Sequence, residues 1–106
     1  MTLEQFLLSL EDPQPPPGLA PLLAALWWDG KGDWDRGHEI AQEEGDRGNA
    51  RAAAWVHAYL HRKEGDAANA GYWYRRAGQP QPKGPLEEEW RQIAGALLEE
   101  PPSSGS

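Results

Sequence analysis

The sequence of 106 residues contains no cysteine. This absence excludes disulfide bonds, thiolate zinc sites, iron–sulfur clusters and a cysteine nucleophile. Residues that favour β-strands are also scarce, because the chain has only one Thr, one Val and two Ile. No segment alternates polar and apolar residues as a half-buried strand does. The sequence therefore predicts an all-α fold of about six short helices.

Long hydrophobic stretches are absent as well. The longest mainly apolar run, residues 19–28, has ten residues, whereas a membrane-spanning helix needs about 20. The first twelve residues contain neither a basic residue nor a small-residue cleavage site, both of which a secretory signal would have. We therefore expect a cytoplasmic protein that does not contact a membrane.

Positive charge is in the minority. Seventeen acidic residues and ten basic ones give a formal net charge of −7. Proteins that bind nucleic acid normally carry a basic excess, so we expect no nucleic-acid partner. Half of the basic residues lie in one stretch of the chain and indicate either a solvated face or a basic face for an acidic partner segment or anionic ligand: Arg51, Arg62, Lys63, Arg75 and Arg76.

Glycine and proline divide the chain into helical segments, and an internal repeat of 33 residues joins the central ones. Gly32-Asp33 and Gly65-Asp66 are 33 residues apart. Each glycine suits the left-handed end of one helix, and each aspartate suits the N-cap of the next. The repeat predicts two helical hairpins within a single domain of residues 1–100. We expect units at about 19–49 and 50–82, capping helices at about 2–11 and 85–99, and a flexible tail at 101–106.

The second unit, RAAAWVHAYLHRKEGDAANAGYWYRRAGQPQP, resembles the tetratricopeptide repeat and, more loosely, the Sel1-like repeat. The first unit shares only Gly32-Asp33 and the lengths of its helices. In the second unit, residues of the family's type stand where its two helices touch and at its end: Ala58, Ala70, Tyr74, Ala77 and Pro82. The resemblance implies a scaffold for a protein or peptide partner and leaves the particular function open.

The strings HAYLHRKEGD and NAGYWYRRAG are also similar to a family of small uncharacterised proteins of the same length. This second resemblance implies no catalytic residues.

Two histidines replace the Leu and Tyr that the tetratricopeptide family has in its first helix. His57 and His61 are four residues apart, so they share one helix face and two imidazoles could reach one metal ion. A third ligand would have to come from Asp66, Glu64 or the more distant His38.

Burial is the interpretation of the two histidines that we favour, and it requires no cofactor. Buried imidazoles need hydrogen-bond partners. In the repeat register, the Tyr74 hydroxyl, the Asn69 amide or a backbone carbonyl could supply them.

Aromatic side chains crowd the second unit. Tyr72, Trp73 and Tyr74 are consecutive, so on a helix they spread over about 200° and cannot all face one core. Exposed aromatic residues beside arginine are common binding hot spots. The sequence therefore predicts a partner-binding surface formed by Arg62, Tyr72, Trp73, Arg75 and Arg76.

The favoured function is a helical-repeat binding module for a protein or peptide partner. The alternative is a small ligand- or metal-binding protein, or an enzyme, that uses His57 and His61 with Asp66 or Tyr74. A third option is a homodimer in which the acidic last helix pairs with the basic second unit. We favour a protein without enzymatic activity, because the sequence has neither a phosphate-binding glycine loop nor a GxSxG nucleophile motif.

Overall fold

The computed structural model describes residues 1–99, and this range contains six α-helices and no strand. The helices are α1 (Leu3–Leu8), followed by a 3₁₀ turn (Ser9–Glu11), α2 (Pro21–Gly30), α3 (Trp34–Asp46), α4 (Ala50–Lys63), α5 (Ala67–Ala77) and α6 (Leu86–Glu99). The predicted all-α fold of about six short helices is confirmed. Within residues 1–99, no helix has the length and apolar character needed to cross a membrane. The tail predicted at 101–106 lies outside the described residues.

Two matching turns connect α2 to α3 and α4 to α5. Gly32 and Gly65 have φ angles of +92° and +90°, in the left-handed region that glycine enters without steric cost. The next residues, Asp33 and Asp66, each accept a hydrogen bond from the backbone N–H three residues later, at 3.1 and 3.2 Å. The paired turns that the sequence predicted are therefore present, 33 residues apart.

The repeat is less regular where the second helix of each unit ends. Helix α5 ends at Gly78, which has a φ of +70°. Helix α3 continues through Gly45 to Asp46, and the left-handed glycine after it is Gly48. The 33-residue spacing of Gly45 and Gly78 therefore does not mark equivalent helix ends.

The helices pack in two groups around α4. Helix α2 packs against α3, α3 against α4, and α4 against α5. Helix α6 packs against α2 and α4, and α1 packs against α6. The two helices predicted as caps therefore cover the apolar surface that α2 and α4 share.

The main core lies between α1, α2, α4 and α6. Its fully buried side chains include Phe6, Leu26, Trp27, Val56, Leu60 and Ile93. Three indole N–H groups donate to backbone carbonyls of neighbouring segments, at distances of 2.8 to 3.2 Å, from Trp27, Trp34 and Trp90. Because a buried indole needs such a partner, these bonds attach the 3₁₀ turn to α2, α3 to α4, and α2 to α6.

Helices α2 and α3 approach each other closely at Gly37. A Cβ atom at this position would lie 2.8 Å from the carbonyl oxygen of Ala25, which is too close for van der Waals contact. The opposite case is Gly95 in α6, where no described atom lies within 4 Å of such a Cβ.

We expect Gly37→Ala to lower the free energy of unfolding by about 1–3 kcal/mol, because the added methyl group forces α2 and α3 apart. The control, Gly95→Ala, should raise it by about 0.5–1 kcal/mol, because alanine favours the helical state. Urea denaturation of both variants measures the two effects. Equal stability of Gly37→Ala and the wild type would contradict the close packing at this position.

Candidate functional site

A groove of about 530 Å³ lies between α3 and α5, and α4 forms its floor. Small side chains keep the floor low, since α4 contributes Ala50, Ala53 and Ala54. The groove therefore exists because three alanines of α4 stand where larger residues would fill it.

All three histidines of the sequence line this groove. His38 belongs to α3, whereas His57 and His61 belong to α4. One ring nitrogen of each lies within 4.8 Å of the other two, and the Nε2 atoms of His38 and His57 are 2.8 Å apart. His38, which the sequence placed farthest away among the candidate third ligands, completes the cluster.

The predicted burial of the histidine pair in α4 is confirmed. The exposed fraction is 6% for His57 and 7% for His61. Their hydrogen-bond partners differ from those expected, because His57 contacts His38 and His61 contacts Glu64.

Two of the three imidazoles are stacked on indole rings. The rings of Trp34 and His38 have centroids 4.9 Å apart and planes 11° apart. For Trp73 and His57 the values are 4.0 Å and 15°. Stacking fixes the orientation of both imidazoles before a ligand arrives, which lowers the entropy lost on binding.

A carboxylate holds the third imidazole. The Nδ1 atom of His61 lies 2.6 Å from a carboxylate oxygen of Glu64. A neutral ring that donates from Nδ1 leaves the Nε2 lone pair free. Metal-binding histidines commonly have such a carboxylate on the outer nitrogen, where it fixes the tautomer and makes the ligand more basic.

The surroundings keep the cluster uncharged at neutral pH. Burial, together with the nearby His38 and His61, lowers the pKa of His57 from its usual 6.5 to about 4. The pKa of His38 is also lowered, chiefly by burial and then by His61. Since metal ligation requires the neutral imidazole, neither ring has to lose a proton at pH 7 before it can bind.

A second cluster shares His61 and adds Glu64 and Asp66, again with ligand atoms within 4.8 Å of one another. Both carboxylates are exposed, and each has another role in the fold. Glu64 is hydrogen-bonded to His61, and Asp66 caps α5. The cluster of three histidines is therefore the better metal site.

Tyr74 and Arg62 lie elsewhere, on a buried carboxylate of α6. The Tyr74 hydroxyl donates to Glu89 at 2.6 Å, and the Arg62 guanidinium pairs with the same group at 2.9 Å and also donates to the Gly84 carbonyl. Tyr74 is therefore not the histidine partner that the sequence suggested, and Arg62 is not part of a partner-binding surface. Glu89 was missed, although its position three residues after Leu86 places it on the apolar stripe of α6.

Lys63 also serves the fold. Its amino group lies 2.9 Å from a carboxylate oxygen of Asp29, which is 2% exposed and also accepts from the Tyr59 hydroxyl at 3.1 Å. With Arg62 and Lys63 both paired inside the chain, the predicted basic face is split.

The remaining residues of the predicted partner surface lie together on α5. Tyr72 is 45% exposed, as expected for at least one residue of the aromatic run. The Arg76 guanidinium carbon lies 5.6 Å from the Tyr72 ring centroid and 5.4 Å from that of Trp73. Arg75 is exposed on the same helix.

We expect the free energy of unfolding of the metal-free protein to fall as the pH is lowered from about 6.5 to about 4. In this interval the unfolded chain binds a proton at His57 that the folded chain does not, so protonation favours unfolding. His57→Gln should reduce this pH dependence, whereas Gln92→Ala, at an exposed position of α6, should leave it intact. Urea denaturation across the pH range provides the measurement, and identical slopes for His57→Gln and the wild type would disprove the expected shift.

No protein-family model matches the chain, and comparisons with curated proteins and with solved structures yield no match. The resemblance to tetratricopeptide and Sel1-like repeats therefore stays a prediction. The function has to be inferred from the residues of the groove.

Proposed function

We propose that the protein binds one divalent transition-metal ion through His38, His57 and His61. The observation that carries this proposal is the convergence of three imidazoles from two helices, with ligand nitrogens within 4.8 Å of one another. Imidazole suits zinc, copper, nickel and iron, and three histidines are an established ligand set for zinc. The proposal departs from the sequence-based expectation that no cofactor is present.

The distances within the cluster fit a cation after a small adjustment. Zinc–nitrogen bonds of 2.0–2.1 Å in a tetrahedron separate the ligand nitrogens by about 3.3 Å. The Nε2 atoms of His38 and His57 are 2.8 Å apart, as in a hydrogen bond in which one ring carries the proton on Nε2. Metal binding would replace this hydrogen bond, widen the gap by about 0.5 Å and require both protons to lie on Nδ1.

The positioning partners support a metal ion over a cluster that serves packing alone. A core histidine needs one hydrogen bond to satisfy it. Here Trp34 and Trp73 orient two rings, and Glu64 holds the outer nitrogen of the third. Together they aim unprotonated nitrogens at one point, an arrangement that ligation requires and packing does not.

We expect isothermal titration of the untagged, chelator-treated protein with Zn²⁺ at pH 7.5 to give one ion per chain. Replacing any one ligand, as in His38→Gln, His57→Gln or His61→Gln, should weaken binding by more than about 100-fold, because the loss of an outer partner alone costs 10–100-fold. Excess zinc should raise the melting temperature of the wild type, since the ion binds the folded state.

Two further variants separate the proposed site from the second cluster. Glu64→Gln should weaken zinc binding by about 10–100-fold, because Glu64 positions His61. Asp66→Asn, which can still cap α5, should leave the affinity unchanged. Wild-type affinity in His38→Gln, or a large loss in Asp66→Asn, would contradict the assignment.

The exposed face of α5 favours a second, compatible function, which is docking of an acidic protein segment. Tyr72 is exposed and Arg76 lies over its ring. Among residues 1–99, no carboxylate lies within ion-pair distance of Arg75 or Arg76. An aromatic ring beside two free cations is suited to an acidic partner.

We expect Tyr72→Ala and Arg75→Gln to reduce the amount of a protein partner recovered by affinity capture without lowering the melting temperature. The reason is that both side chains are exposed and neither belongs to the core. Gln92→Ala serves as the surface control. Undiminished recovery in both variants would refute this second function.

A further inference from the structure

The groove is larger than a metal ion needs. Its volume of about 530 Å³ lies within the range of about 300–1,000 Å³ that is typical of small-molecule sites. The three histidines occupy one part of its lining, and the remainder combines the alanine floor with the polar groups of Gln42, Asn69 and Arg76. The space beside the histidines is therefore available to a ligand.

An ion held by three protein ligands keeps a coordination position open, as catalytic zinc sites do. All three histidines line the groove, so this position faces the groove rather than the core. Neutral imidazoles do not cancel the charge of a divalent cation, and the resulting excess positive charge favours an anionic group at the open position.

Arg76 supplies a second anion-binding group close to the first. Its guanidinium carbon lies 5.4 Å from the Trp73 ring, and the same ring is stacked 4.0 Å from His57. One N–H of Arg76 donates to the Tyr72 hydroxyl at 3.3 Å, and the other donors of its planar fork remain for a carboxylate. A short molecule could therefore contact the metal and Arg76 at the same time.

The lining between these two points suits a carbon skeleton. Ala53 and Ala54 on the floor and Trp73 on the wall offer apolar surface, while the amides of Gln42 and Asn69 offer hydrogen bonds. Inorganic phosphate has no apolar part to use this surface. Asp46, on the same wall about 12 Å beyond His38 along α3, disfavours a further anionic group and limits the ligand to a short one.

We infer that the groove binds a small organic dicarboxylate, one carboxylate on the metal at the three histidines and the other on Arg76. This inference rests on the proposed metal site. It adds the chemical class of the ligand and assigns Arg76 as the residue that selects it.

Co²⁺-loaded protein tests the inference, because the visible absorption of Co²⁺ reports the ligand at its open position. The probes are succinate, acetate and inorganic phosphate, each titrated into the loaded full chain. We expect succinate to change the spectrum and to bind at least about tenfold more tightly than acetate, because its second carboxylate adds a charge-assisted hydrogen bond. Phosphate should bind more weakly than succinate.

Two arginine variants provide the matched comparison. Arg76→Gln should bind Co²⁺ normally but lose the preference for succinate over acetate. Arg75→Gln, at an exposed neighbour that does not line the groove, should keep that preference.

The outcomes separate the two proposals. If Co²⁺ does not bind with one ion per chain, the metal site fails and the inference fails with it. If Co²⁺ binds but no carboxylate changes its spectrum, the metal site stands and the inference is overturned. The same holds if phosphate binds more tightly than succinate, or if the preference for succinate survives in Arg76→Gln.

Discussion

The burial of helix α4 is the constraint on which both the core and the candidate site depend. Eight of its residues, including Val56, His57, Leu60 and His61, are buried. Val56 and Leu60 enter the main core, while the two histidines face the groove. Because water does not reach these imidazoles, they must find partners within the protein. In residues 1–99, no buried side-chain nitrogen or oxygen lacks a hydrogen-bond partner. The packing that builds the fold therefore also orders the cluster.

The basic end of α4 shows the same constraint acting on charge. Two buried carboxylates each receive a cation from α4 and a tyrosine hydroxyl: Asp29 from Lys63 and Tyr59, and Glu89 from Arg62 and Tyr74. Burial and the adjacent carboxylate raise the pKa of both tyrosines above its usual 10, so each remains a donor. These pairs attach α4 to α2 and α6, and breaking a buried pair is costly. Arg62 and Lys63 thus serve the fold and leave Arg76 as the cation of the groove.

Local features of this structure could be predicted from the sequence, because neighbouring residues decide them. The Gly-Asp turns and the shared face of His57 and His61 follow from spacing alone. The position of His38 could not be predicted, since it depends on how α3 packs on α4. Glu89 offered a signal, a charge on an apolar stripe, but its partners Tyr74 and Arg62 depend on where α6 lies. The long-range packing of helices therefore limits what the sequence reveals of the site.

Anomalous diffraction at the zinc edge, from crystals of the zinc-loaded protein, tests the central claim most directly. The account predicts one strong peak between the rings of His38, His57 and His61, about 2.0–2.1 Å from a nitrogen of each. A peak beside the carboxylates of Glu64 and Asp66, or ordered protein without a peak at the three histidines, would contradict it.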